Sequence, residues 1–185
     1  MAVFGKDATV YPETLLDPLC GKDSQRQWMV LYTRARQEKA LARDLLRQEI
    51  PFYLPVVKHV SLCRGRRRTV DLPLFSGYVF LYGSEPERIS SLATNRISRI
   101  LLVSDPDRLV QELRQLRQLI ASKAPLTVES RLVPGTRVRV RQGPFAGIEG
   151  VVLTRRGETR LLVSVNFLQR GASVQIDDFL LEPLS

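Results

Sequence analysis

The hydrophobic period changes once along this chain, and that change limits the folds open to it. Up to about residue 120, strand-like runs of aromatic and β-branched residues alternate with apolar stripes at helical spacing. Beyond residue 132 only short runs remain, separated by turn signals. A switch from mixed periods to short strands alone predicts two different layer architectures in one chain. Between them, Ala121 to Arg131 carries Pro125, polar residues and no period, the composition of a linker. The expected divisions are an extension over 1–24, a first domain over 25–120, a linker over 121–132 and a second domain over 133–185.

Residues 1–24 contain Pro12, Pro18 and mixed polar residues without a period, and are expected to be loosely ordered. Trp28 to Tyr32 reads as a buried strand, and Thr33 can cap the helix expected next. In that helix Leu41, Ala42, Leu45 and Leu46 share one face. Arg36, Lys39, Arg43 and Arg47 share the other, and Pro51 ends it. Phe52 to Val60 reads as a second strand interrupted by Pro55, hence an edge strand or a bulge. Cys63-Arg64-Gly65-Arg66-Arg67-Arg68 reads as the basic tip of a hairpin that returns through Thr69 to Leu74. A strand over Gly77 to Tyr82, a short helix over Pro86 to Ala93 and a strand over Ile97 to Val103 follow. Asp105-Pro106-Asp107 then opens a helix striped by Leu109, Leu113, Leu116 and Ile120. This half reads as one sheet covered by helices. In the second half, strands at 137–141, 150–154, 161–167, 173–176 and 180–182 predict a small antiparallel barrel.

Charge narrows the partners. Of the formal net charge of +9, most is concentrated early: residues 26–71 hold 11 Lys or Arg against 4 Asp or Glu, whereas residues 133–185 hold 7 against 5. A concentrated basic surface attracts polyanions, nucleic acid above all, although a solvated basic face is the plain alternative. One histidine and two cysteines without metal-ligand spacing leave little material for acid–base or metal chemistry. No metal site, cofactor or catalytic constellation is expected. No apolar run approaches the roughly 20 residues that span a bilayer, and the first 22 residues do not read as a secretory signal. A cytoplasmic protein without a membrane partner is expected.

Two motifs make the reading specific: Pro73-Leu74-Phe75-Ser76-Gly77-Tyr78-Val79-Phe80, and Gly143-Pro144-Phe145-Ala146-Gly147-Ile148-Glu149-Gly150 behind the alternating Thr136 to Arg141. In this order, each within its own small domain, they resemble the NusG family of transcription elongation factors. The resemblance covers about residues 25–185. It implies an α+β chain: an N-terminal mixed α/β sandwich, the ferredoxin-like NGN domain, linked to a small SH3-like β-barrel, the KOW domain. The arginine-rich hairpin and Pro73-Leu74-Phe75 are similar to RfaH-type antiterminators, as expected of a specialised paralog.

What the resemblance implies for single residues differs from what the residues say alone. By themselves, Tyr32, Phe75, Tyr78 and Phe80 read as core aromatics. The resemblance implies that they line an apolar pocket for the clamp helices of RNA polymerase, where aromatic anchors carry most of the binding energy. It places Arg34, Arg36, Gln37 and Lys39, with Arg43 of the same basic helix, beside the non-template DNA strand. Arg64, Arg66, Arg67 and Arg68 are expected to meet nucleic acid or an acidic polymerase surface. Phe167 matches the position where family barrels meet a ribosomal protein or a termination factor. Gly143, Gly147 and Gly150 are expected to serve backbone geometry. The function implied is suppression of pausing and termination by a non-enzymatic factor. The rivals are an RNA- or ribosome-binding KOW protein, and a general family member that aids termination. An exposed aromatic cluster distinguishes the polymerase reading from the RNA reading.

Overall fold

Strand-forming residues of the first half assemble around two long central strands. The computed structural model describes residues 8–18, 23–131 and 135–184, apart from the Phe179 side chain. The chain divides into two units, Met1–Pro106 and Asp107–Ser185. In the first, the elements are β1 (Val10–Tyr11), β2 (Gln27–Thr33), α1 (Glu38–Arg47), β3 (Phe52–Tyr53), β4 (Val56–Cys63), β5 (Arg66–Pro73), β6 (Tyr78–Gly83), α2 (Glu85–Ala93) and β7 (Ile97–Leu102). Five strands form one antiparallel sheet in the order β1-β3-β6-β2-β7, and β4 and β5 pair only with each other. Pro55 explains why the run from Phe52 becomes two strands: without an N–H it cannot continue a ladder.

Period two decides what each sheet face does. Met29 and Leu31 of β2, Val79 and Leu81 of β6 and Phe52 of β3 form one cluster with Leu41, Ala42 and Leu45 of α1. Leu45 is fully buried there, as the apolar stripe of α1 requires. The helix starts at Glu38 with Gln37 in the capping position and no side-chain cap. Thr33 is therefore not the cap expected from sequence: it ends β2, and its buried hydroxyl has no hydrogen-bond partner among the described residues. The helix at 85–93 has the better-built start. Ser84 and Glu87 close a reciprocal capping box, Pro86 sits in the first turn, and Arg26 bonds the same Glu87 carboxylate.

The expected loose extension is partly built into the sheet. Val10 and Tyr11 pair with Tyr53 and Phe52, Leu54 N–H donates to Thr9 O, and Leu15 and Leu16 are buried. The open edge of β3 and two burying leucines provide the order that composition did not signal. Residues 1–7 and 19–22 of that stretch lie outside the described residues.

The second unit holds α3 (Pro106–Ala121), whose first residue closes the first unit, then β8 (Leu126–Glu129), β9 (Arg137–Val140), β10 (Glu149–Arg155), β11 (Glu158–Val165), β12 (Arg170–Gln175) and β13 (Leu181–Pro183). Its sheet is six-stranded and antiparallel, in the order β13-β9-β10-β11-β12-β8. The end strands β13 and β8 are not paired with each other, so among the described residues the ladder does not close into the expected barrel. Two boundaries also differ. The helix assigned from sequence to the first domain belongs with the second unit. Its polar side fastens to loops of that sheet: Glu112 accepts from Asn166 N, Gln115 Oε1 from Glu149 N, and Gln118 Nε2 donates to Ala146 O. The expected linker contributes β8, which pairs with β12 from Gly171 to Val174.

A buried arginine holds that added strand. Arg160 donates from Nε to Ser173 Oγ at 3.0 Å, and from Nη2 to Thr127 Oγ1 at 2.9 Å and Ser173 O at 3.0 Å. Ser173 in turn donates to Glu129, which also receives Arg155. Where strands cross closely, Gly150 is required: a Cβ there would stand 2.4 Å from Leu162 O.

Two outcomes follow for stability. Arg160→Met, which keeps the stem but removes the donors, should cost about 1–3 kcal/mol in denaturant unfolding, because it strands buried polar partners. The Glu87 carboxyl is raised by burial but lowered by more through its bonds to Ser84 and Arg26, so its folded pKa lies below the ordinary 4.5. Its contribution is therefore full above 4.5 and lost as pH falls through the depressed value. Melting temperatures of wild type and Glu87→Gln should differ at neutral pH and converge in acid.

Candidate polymerase and nucleic-acid interface

Pairing of β2 with β6 puts Tyr32 directly opposite Tyr78, Val30 opposite Phe80 and Trp28 opposite Tyr82, all on the face away from the α1 core. The rings meet in tilted pairs, with centroids 5.2 Å apart for Tyr32–Tyr78 and 5.4 Å for Trp28–Tyr82. The four aromatics singled out from sequence do not share one fate. Tyr32 is 41% exposed and Tyr78 half-buried, whereas Phe75 is 1% exposed and Phe80 fully buried. Phe80 stacks with Tyr53 of β3 at 6.4 Å. Phe75 and Phe80 are therefore core residues in the described structure: Phe80 lies further along β6, within the sheet, and Phe75 is buried in the turn before β6, whereas Tyr32 and Tyr78 stand at the end of the sheet.

The turn beneath the tyrosines is pinned from three sides. Gly77 N donates to the buried Glu38 carboxylate at 2.7 Å, Gly77 O accepts from Thr33 N at 2.8 Å, and Tyr78 N closes onto Phe75 O. Gly77 has φ of +86°, and a Cβ there would lie 3.0 Å from the Tyr32 ring. One carboxylate in the first turn of α1 thus fixes the motif that sets Tyr78 against Tyr32. Nothing in the sequence marked Glu38, because an acid in a first helical turn is ordinary.

The basic residues lie near this end of the sheet, on the connection from β2 into α1. Arg34 donates to Asn95 Oδ1, and its N–H to Arg96 O. Arg36 is exposed with φ of +59°. Gln37 is half-buried, and its Oε1 accepts from Arg96 Nη1 at 2.6 Å, while Arg96 Nε bonds Asp44 at 2.6 Å. The Gln37 oxygen is therefore engaged within the protein. Lys39 is half-buried and Arg43 exposed on the same helix, while Arg47 is tied to Asp44. Arg96 was missed from sequence because its role depends on a contact across 59 residues. Ser91 is buried and Ser90 exposed, the latter lining a groove of about 420 Å³ with Asp44, Arg47, Gln48, Ala93 and Thr94.

Arg64, Arg66, Arg67 and Arg68 are brought together at the tip of the β4–β5 hairpin, as expected, and all are exposed. In the second unit, Phe167 is half-buried in a single 3-10 turn, Asn166–Leu168, whose Asn166 main chain and amide are held by Glu112. Gly143 and Gly147 have φ near +89° and +84°, consistent with their expected backbone role.

The sequence model of a family described as transcription termination factor NusG matches residues 26–133, more than half of the chain. The chain belongs to the NusG family. It is thus of a transcription-factor family rather than an enzyme family. Among solved structures, a study of domain interaction in Thermotoga maritima NusG gives 18% identity over 86% of this chain and 98% of that one, with a TM-score of 0.43. A crystal structure of the MjSpt4:Spt5 complex gives 15% identity over 86% and 97%, with a TM-score of 0.28. Among the described residues no helix is long and apolar enough to cross a membrane.

For this NusG-family chain, Gly77→Ala should cost about 1–2 kcal/mol from the left-handed backbone alone. It should also displace the Tyr32 ring, read as a changed tyrosine near-ultraviolet signal at constant far-ultraviolet signal.

Proposed function

We propose that this chain is a non-enzymatic, cytoplasmic transcription elongation factor that binds the clamp helices of RNA polymerase and suppresses pausing and termination, as a specialised RfaH-like member of its family. The observation that carries this reading is the Tyr32–Tyr78 pair: two adjoining aromatic rings, exposed Tyr32 at the end of β2 and half-buried Tyr78 just after the turn clasped by Glu38. Preorganised aromatic rings lose little entropy on docking and bury much area. Phe75 and Phe80 support the pair from the core rather than touching the partner.

Arg34, Arg36, Lys39 and Arg43 would neutralise phosphates of the non-template strand, and Gln37 would meet a base edge with its NH2 group. Exposed Ser90 of α2 would face the other side of the polymerase cleft. A factor that touches both sides favours the closed, processive state by its differential affinity for it. The second unit, in this reading a KOW domain, would recruit a ribosomal protein or termination factor through Phe167 at raised effective concentration.

The test is capture of purified core polymerase by wild type and by Tyr32→Ala/Tyr78→Ala at low and raised salt. Loss of one anchor typically costs ~2 kcal/mol, so the double variant should bind about thirtyfold more weakly or worse while wild-type capture survives salt. Capture unchanged in the variant and abolished by salt would instead support an RNA- or ribosome-binding role.

A further inference from the structure

The β4–β5 hairpin stands outside the main sheet of the first unit, and its base, through Val56, packs against the core. Each strand is eight residues long, a reach of about 26 Å at about 3.3 Å per residue. Among the described residues the strands pair only with each other, leaving both ladder edges open, and toward the tip most residues on both faces are exposed. Cys63 and Arg66 flank a two-residue loop in which Arg64 and Gly65 both have positive φ, +48° and +74°. That is the type I′ geometry whose twist matches the strands it joins, so the tip is a regular ribbon end.

Register divides the side chains between the faces. Directly opposed residues share a face. One face therefore carries Leu62 with Arg67 and Val60 with Thr69. The other carries Cys63 with Arg66 and Ser61 with Arg68. Arg64 stands in the turn between them. Four arginines thus occupy both faces and the end of one ribbon. Among the described residues none of the four side chains has a hydrogen bond or ion pair, and all four residues are exposed. A ribbon resting on an acidic protein surface or along a single strand would gain from cations on one face only. Cations on two opposite faces suit a slot with two anionic walls.

We propose that this hairpin enters the major groove of B-form duplex DNA tip first, with Arg66 and Arg68 toward one phosphate strand, Arg67 toward the other and Arg64 at the groove floor. The dimensions agree. A single ribbon layer takes up about 10 Å, the spacing at which sheets stack face to face, and the B-form major groove is about 12 Å wide and admits a two-stranded ribbon. The A-form major groove of duplex RNA is too narrow for side chains to read. The four arginines supply phosphate contacts, and Arg64 in the turn can also reach paired guanine acceptors. The apolar residues Val57, Val70 and Leu72 lie nearer the base of the ribbon, outside the groove, whereas exposed Leu62 and Val60 share the Arg67 face near the tip. This is a duplex site separate from the single-strand path along α1, and it needs no polymerase.

The full chain is titrated against three labelled probes: a DNA duplex of about two helical turns, the RNA duplex of the same sequence, and one DNA strand alone, each over a salt series. DNA duplex should bind tightest. Arg67→Ala alone and Arg66→Ala/Arg68→Ala together should each weaken it. Each should also reduce the slope of log affinity against log salt, by about 0.9 per arginine removed. Melting temperature serves as the folding control, and the Lys versions of the same changes should keep the slope. Loss confined to one face's variant overturns the groove reading in favour of a flat surface. Duplex RNA or the single strand bound as tightly as duplex DNA overturns it as well, and so does a salt slope that no hairpin variant moves. Because no polymerase is present, failure here and failure of polymerase capture are separate results.

Discussion

The pairing of β2 with β6 is the constraint on which the first unit depends. Its register places Tyr32 against Tyr78 and Val30 against Phe80 on one face, and Met29, Leu31, Val79 and Leu81 on the other. Because side chains alternate with period two, a slip of one residue would turn the aromatic face into the core and expose the aliphatic one. The slip is blocked at one end of the ladder, where Glu38 and Thr33 both hold Gly77. The same few bonds that fix the register therefore decide which aromatic rings meet solvent.

In the second unit the equivalent constraint is polar. Arg160 is almost wholly buried, and its guanidinium bonds hydroxyls and a carbonyl from β12 and β8. A buried cation is tolerable only when its donors are satisfied, so the strand beyond the expected sheet is held by a condition on charge as well as by its ladder. This explains why a segment with a linker's composition becomes a strand.

Much of the architecture was legible in the sequence because it is written in local pattern. The apolar stripe of α1, the Asp105-Pro106-Asp107 start of α3 and the arginine hairpin are short-range signals, and each element lies where its pattern put it. What was not legible depends on long-range contact. β1 exists because an edge of β3 is open to it. The assignment of α3 to the second unit rests on bonds spanning 28 to 54 residues. At the candidate site, period two correctly put Tyr78 and Phe80 on one face, but it could not tell a ring at the end of the sheet from one in its middle. Arg96 and Glu38 act on Gln37 and Gly77 from distant positions, and no local pattern distinguishes them from other surface charges.

The way α3 is fastened has a consequence for how this protein can change. Gln115 and Gln118 hold the main chain of the Gly143–Glu149 loop, and Glu112 holds the main chain at Asn166. A bond to an amide or a carbonyl survives almost any replacement of the side chain beside it. The grip on these loops is therefore largely indifferent to their residue identities, Asn166 excepted through its amide. Selection can rewrite the outward surface of the loops, Phe167 included, without loosening the helix, whereas the three polar residues on α3 have little such freedom.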